Sequence, residues 1–232
     1  MKTKVIYEDN EVLVCYKPAG LAVQTGRIGQ ADMVSELKNY LNKTQKNPYL
    51  GLVHRLDQPV EGLLVFGKTQ KATAVLSSQL QKGTLNKRYY AVVCGKPASD
   101  SGELVDYLNK SADNKAEIVT EKEGKKAVLQ YKVLGNGVCC EENSENQRME
   151  YTLLDVHIDT GRFHQIRAQL SHAGCPILGD QKYGTEASAR LSRELSVRNV
   201  ALCACEVEFV HPASGEKVSF KEEPLGKIFG ET

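Results

Sequence analysis

One aspartate stands out for its setting. Asp57 lies in Gly51-Leu52-Val53-His54-Arg55-Leu56-Asp57-Gln58-Pro59-Val60-Glu61-Gly62, with an apolar approach before it and the run Leu63-Leu64-Val65-Phe66 after it. Pro59 and Gly62 are turn residues, so the pattern predicts a tight bend between two buried strands, with Asp57 held rigidly at the bend. A carboxylate fixed in this way can work as a nucleophile or as a base. It can equally do no more than close an Asx-turn on the backbone beyond it. A second cluster of polar side chains follows far downstream, in Thr160-Gly161-Arg162-Phe163-His164-Gln165-Ile166-Arg167-Ala168-Gln169-Leu170. His54, Asp57, His164 and His172 could also be read as ligands of a hydrolytic metal. Their spacings form no HExxH-like box, so no metal site is expected.

The elements that must position these residues alternate between strand and helix without a regular βα repeat. Lys4–Tyr7 and Glu11–Tyr16 read as strands around the polar turn Glu8-Asp9-Asn10. Asp32 is a candidate N-cap for a helix with Met33, Leu37, Tyr40 and Leu41 on one face. Thr69 can cap another, with Ala72, Leu76 and Leu80 as its apolar positions and Gly83 as its stop. Lys87–Val93 reads as a strand behind a small basic cluster of Lys82, Lys87 and Arg88, and 97–102 as a crossing between two lobes. Further strands are expected over Ala116–Val119, Ala127–Leu134, Met149–Ile158, Asn199–Val210 and Lys217–Phe220. Cys139–Gln147 should be an exposed hairpin loop, and Phe163–His172 a short helix ended by Gly174. The sum is an α+β fold with a mixed, mainly antiparallel sheet and flanking helices.

Composition sets the bounds. The 232 residues, 41% hydrophobic and 25% charged, suit one globular domain of two lobes, roughly 1–96 and 97–232. The net charge of +1 announces no global nucleic-acid surface, so any such surface must be local. The 7 cysteines include no C-x-x-C pair, which argues against a zinc ribbon or disulfide framework. With no signal-peptide core and no membrane-length apolar run, a reducing, cytoplasmic setting is expected.

The two clusters together resemble the RluA-type pseudouridine synthases. That family carries an HRLD box, matched by His54-Arg55-Leu56-Asp57, and a GRxHQIR box, matched by Gly161 to Arg167. The GxPxxGDxxYG run that follows is matched from Gly174 and Pro176 through Gly179-Asp180 to Tyr183-Gly184. Lys87-Arg88-Tyr89 is similar to its K-x-Y strand, and Val200-Ala201-Leu202 through His211-Pro212 to Ser214-Gly215-Glu216 to its tail. The resemblance implies a bent-sheet pseudouridine synthase fold over 1–232, with an active-site cleft between two halves and no appended S4 domain. The implied activity is isomerisation of specific uridines in structured RNA (tRNA, rRNA or both) by a monomer without cofactor or metal.

Residue roles follow from the same resemblance. Asp57 is the catalytic carboxylate, as nucleophile or base. Arg167 is the permanent cation beside it, countering the rise in pKa that shelter from water would cause. Tyr89 stacks on the flipped uracil, and its strand neighbour Tyr90 points the other way. Arg55 is associated with the flipped nucleotide and its phosphate. His54, Lys87, Arg162 and His164 complete the substrate-binding set, the last two equally readable as structural supports. Departures are local. Where the family has R-x-T-S-G after HRLD, this chain has Gln58-Pro59-Val60-Glu61-Gly62; Cys203 and Gln169 stand where His is common, and Phe163 where Thr is common. An RNA-binding protein that kept the fold and lost catalysis is the competing reading.

Overall fold

The computed structural model describes residues 1–26, 29–140 and 148–231. In chain order the elements are β1 (Lys4–Glu8), β2 (Val12–Lys17), α1 (Met33–Leu41), β3 (Gly51–Leu52), β4 (Glu61–Gly67), α2 (Gln70–Gln81), β5 (Asn86–Cys94), β6 (Ser101–Lys110), β7 (Ala116–Val119), β8 (Lys125–Cys140), β9 (Arg148–Ile158), α3 (Gln165–His172), α4 (Glu186–Glu194), β10 (Leu202–Val210) and β11 (Lys217–Lys221). The class is the expected α+β: among the described pairings of named strands, β4 with β10 is parallel and the others are antiparallel. Two compact units result, Met1–Lys87 with Cys203–Leu225, and Arg88–Leu202 with Gly226–Thr232.

In the first unit the core is the β2–β4 pair, every residue of which is buried. Both helices start where their caps predict. The Asp32 side chain accepts from Ser35 N at 2.7 Å, and Thr69 Oγ1 accepts from Ala72 N at 3.0 Å. Each helix buries an apolar stripe, Met33, Leu37 and Leu41 in α1, Ala72 and Leu76 in α2. The expected strand before Asp57 is largely absent. β3 pairs with β4 only at Gly51 and Leu52, because at the next position the imidazole of His54 takes over: its Nε2 accepts from Val65 N at 3.3 Å. β10 then joins the strand at Glu61 and Gly62. Gly62 belongs to this strand and not to the turn. Its φ of +129° and the Ala204 backbone, which lies where a Cβ would sit, leave no room for a side chain.

The second unit contains a five-stranded antiparallel sheet in the order β5-β9-β8-β6-β7. Helix α3 covers one face, where its Ala168 joins Leu108, Ala116 and Ala127 in a small core. The hairpin loop expected over Cys139–Gln147 lies mostly outside the described residues. α3 begins later than predicted, at Gln165, with His164 as its N-cap in a left-handed conformation at φ 52°.

Candidate active site

Asp57 opens a turn in which Val60 N donates to the Asp57 carbonyl at 3.1 Å. The turn is gripped from the end of β2. Lys17 is fully buried, and its Nζ donates to the carbonyls of Pro18 at 3.1 Å, Leu21 at 2.8 Å and Gln58 at 3.0 Å. Gly20 N donates to the same Gln58 carbonyl at 2.8 Å, and Gln58 Nε2 donates back to Gly20 O at 3.1 Å. Burial pulls Lys17 down to about 8, while the charges of Asp57 and Glu61 hold it up. An ammonium therefore lies beneath the turn at neutral pH, with two carboxylates in its field.

Lys17 is a residue that sequence reading missed, since a Lys before Pro reads as the end of a strand. Its pKa is depressed on folding, so between pH 8 and 10.5 the unfolded chain binds the extra proton and stability rises with pH. Lys17→Met should cost about 1–3 kcal/mol at neutral pH, because buried carbonyls lose their donor. The gap to the parent should widen across that alkaline window, which denaturant titrations at its two ends would read. A gap that stays constant would show that the ammonium is not held in a buried site.

The departures from the family box meet one another in this unit. Tyr16 Oη donates to Glu61 Oε2 at 2.8 Å and lies 3.5 Å from Cys203 Sγ, and Leu225 N donates to the same carboxylate oxygen at 3.2 Å. Burial pushes the Tyr16 phenol and the Cys203 thiol up, so both stay protonated. His54 is buried and uncharged: burial first, then the charge of Lys87, holds its pKa well below the usual histidine range. With Nε2 accepting, the proton is on Nδ1, which has no hydrogen-bond partner among the described residues. Arg55 is exposed and Lys87 half-buried.

In the second unit Tyr89 is buried opposite Val156, on the sheet face shared by Tyr131, Leu129, Leu104 and Ala127. That is the face α3 covers, since Gln169 Nε2 donates to the carbonyls of Leu104 at 3.2 Å and Ala127 at 3.3 Å and to Asp106 Oδ2 at 2.8 Å. The structure thus brings Tyr89 and the helix carrying Arg167 to one face. Tyr90 points the other way, beside Arg88, whose guanidinium makes two 2.6 Å hydrogen bonds to Asp155 and lies 5.8 Å from the Tyr90 ring.

Within this unit Arg167 has a carboxylate partner that sequence reading did not name. Its Nε donates to Asp180 Oδ2 at 2.7 Å and its Nη2 to Oδ1 at 2.8 Å, both side chains being almost wholly buried. Oδ1 also accepts from Lys182 N at 2.9 Å and Tyr183 N at 3.2 Å. Burial pushes the Asp180 carboxyl up, but the Arg167 bonds and charge and the two amides outweigh it, and the net shift is downward. The one available signal was the Gly179-Asp180 pair of the GD box. The Arg167 guanidinium also stands 5.1 Å from the Tyr183 ring centroid. Tyr183 Oη lies 2.8 Å from His164 Nδ1 and accepts from Ala116 N at 2.6 Å. Arg162 is exposed, with its Nε donating to Lys126 O at 3.0 Å.

Among the described residues no group of three His, Cys, Asp or Glu is arranged to hold a metal, and no helix is long and apolar enough to cross a membrane. Residues 11–172 match the family model described as RNA pseudouridylate synthase. The chain is 34% identical over 230 residues to a ribosomal large subunit pseudouridine synthase D of Zymomonas mobilis, covering 95% of this chain and 68% of that protein. It is 33% identical to the protein of the same name from Nitrosomonas europaea, covering 96% and 62%. The chain thus spans about two thirds of the length of these relatives. Among solved structures, human RNA pseudouridylate synthase domain containing 4 superposes with a TM-score of 0.75 at 23% identity, covering 98% of this chain and 90% of that one, which shows a shared fold. The matched span runs from the end of the first polar turn through the Asp57 box and all of α3, and on that span the chain belongs to the RNA pseudouridylate synthase family.

Proposed function

We propose that the protein isomerises specific uridines of structured RNA to pseudouridine, with Asp57 as the catalytic carboxylate. The observation that carries this reading is the family match over 11–172, which includes the Asp57 box. The reaction breaks the glycosidic bond of uridine at the base nitrogen N1, turns the uracil and closes a new bond to carbon C5; C5 loses its proton and N1 ends protonated, so the product is an isomer. Nothing is oxidised or reduced and no group leaves, so the chemistry calls for a carboxylate, a grip on the detached base and exclusion of water.

Asp57 supplies the carboxylate as nucleophile or base. Tyr89 supplies an aromatic face for the uracil once the nucleotide has been flipped out of its stack. Arg167 supplies the fixed cation, and its fork to Asp180 supports that role by fixing the guanidinium plane. Arg55, which is exposed, and Lys87 contact the phosphates, while Arg162 and His164 shape the chain leading into α3. The substrate is ribosomal RNA, a choice supported by the names of the relatives, with transfer RNA as the alternative outcome.

The test is direct. Purified protein, unmodified ribosomal and transfer RNA transcripts and a chelator are combined, and pseudouridines are mapped. Modification at discrete uridines is expected without added cofactor. Turnover that the chelator abolishes and one metal restores would overturn the proposed mechanism, and RNA binding without turnover would favour a binding protein that has lost catalysis.

A further inference from the structure

Phe163 is 39% exposed, and it stands immediately before the strained N-cap of the helix that carries Arg167. One face of its ring stacks on the His164 imidazole, with centroids 3.8 Å apart and planes within 20°. The imidazole is itself held edge-on by Tyr183 through the 2.8 Å contact. The Lys110 ammonium also stands over the Phe163 ring, 4.9 Å from its centroid.

The backbone beneath is locked. Gln165 is buried; its Oε1 accepts from Thr160 Oγ1 at 2.8 Å and Arg162 N at 3.0 Å, while its Nε2 donates to Val128 O at 2.9 Å. A left-handed non-glycine residue persists only where its surroundings over-determine it, and such strain clusters where a protein binds something. A single exposed apolar side chain is ordinary. Phe163 combines that exposure with a stacked, fixed ring plane and a cation over it. It has the two parts that unpaired RNA requires, a π-face for a base and a mobile positive charge for a phosphate.

We propose that Phe163 is a stacking platform for one unpaired base of the RNA substrate. The incoming base replaces the exposed Lys110 ammonium, which moves to a neighbouring phosphate. This rests on the RNA reading of the previous section and adds a specificity-determining residue to it.

The test uses large-subunit ribosomal RNA transcribed in vitro, with turnover and direct binding measured for the parent, Phe163→Ala and Phe163→Tyr. One stacked base predicts that Phe163→Ala raises KM and Kd together by roughly 5- to 100-fold. kcat should stay within about twofold, and Phe163→Tyr should restore the parent values. Lys110→Gln should lower the salt dependence of binding by about one phosphate contact. Unchanged KM and Kd in Phe163→Ala, or an equal loss in Phe163→Tyr, would overturn the platform. If melting shows Phe163→Ala to be unfolded, Phe163→Leu keeps the apolar bulk without the π-face and makes the same comparison. A parent that modifies no RNA would sink the proposed function, while the Kd comparison would still decide the platform.

Discussion

Asp57→Asn is expected to reduce pseudouridine formation to background, a loss of at least about a thousandfold, while RNA affinity stays near that of the parent. The size of the loss follows from the chemistry: general-base catalysis alone contributes roughly 100- to 10,000-fold, and a covalent role would add to it. The expectation of intact binding follows from the structure. The turn is closed by the Asp57 carbonyl and gripped through Gln58, and an asparagine keeps both backbone groups and the side-chain size. What changes is charge. Asp57 is one of two carboxylates that hold up the protonation of Lys17, so its removal should move the Lys17 pKa further down and start the alkaline rise in stability at a lower pH. Glu61 is the other, which makes Glu61→Gln the informative companion. If Asp57→Asn turns over within tenfold of the parent and Glu61→Gln does not, the catalytic carboxylate has been assigned to the wrong residue of the same box.

How much of this was legible in the sequence depended on how local the cause was. The caps Asp32 and Thr69 are local, each a side chain answering an amide three residues on, and both helices start where the sequence predicts. The alternation of Leu154 and Val156 with Asp155 and His157 is likewise local, and β9 forms with those faces. β6 was missed because its apolar residues Leu104, Val105, Tyr107 and Leu108 break the period of two. α4 was missed because only Leu191 marks its buried side, the rest being Ser188 and Ser192, and its capping box uses Thr185 with Ser188 in place of an acidic partner. The failed strand before Asp57 has a tertiary cause, since a histidine side chain does there what a backbone carbonyl would have done. At the site, Asp57 was visible because the residues beside it in sequence shape its turn. Lys17 was not visible, since its value lies in carbonyls from separate loops. Asp180 falls in the same class, thirteen residues from the arginine it serves and joined to it by no periodicity.

Arg167 and Asp180 should behave as one unit in stability. Both are buried, so Arg167→Met leaves a carboxylate supported by only the Lys182 and Tyr183 amides, at an expected cost of about 3–5 kcal/mol. Asp180→Asn keeps an acceptor for those amides but removes the charge of the fork, and it should cost less. The double variant should be less destabilised than the sum of the two by roughly 1–3 kcal/mol, because the same fork is broken in each single variant and can be lost only once. Acid titration provides a second reading. The Asp180 carboxyl is held below its ordinary value, so its contribution is present above the unfolded pKa and is lost as pH falls through the folded one. Arg167→Met removes the largest cause of that depression and should unfold at a higher pH than the parent on the acid side. Turnover separates orientation from charge: Asp180→Asn retains the cation but frees its plane, so assayed while still folded it should lose less activity than Arg167→Met. Additive stability losses with an unmoved acid limb would mean that the buried fork contributes no coupling. Equal activity losses in the two single variants would mean that the orientation of Arg167 matters as much as its charge.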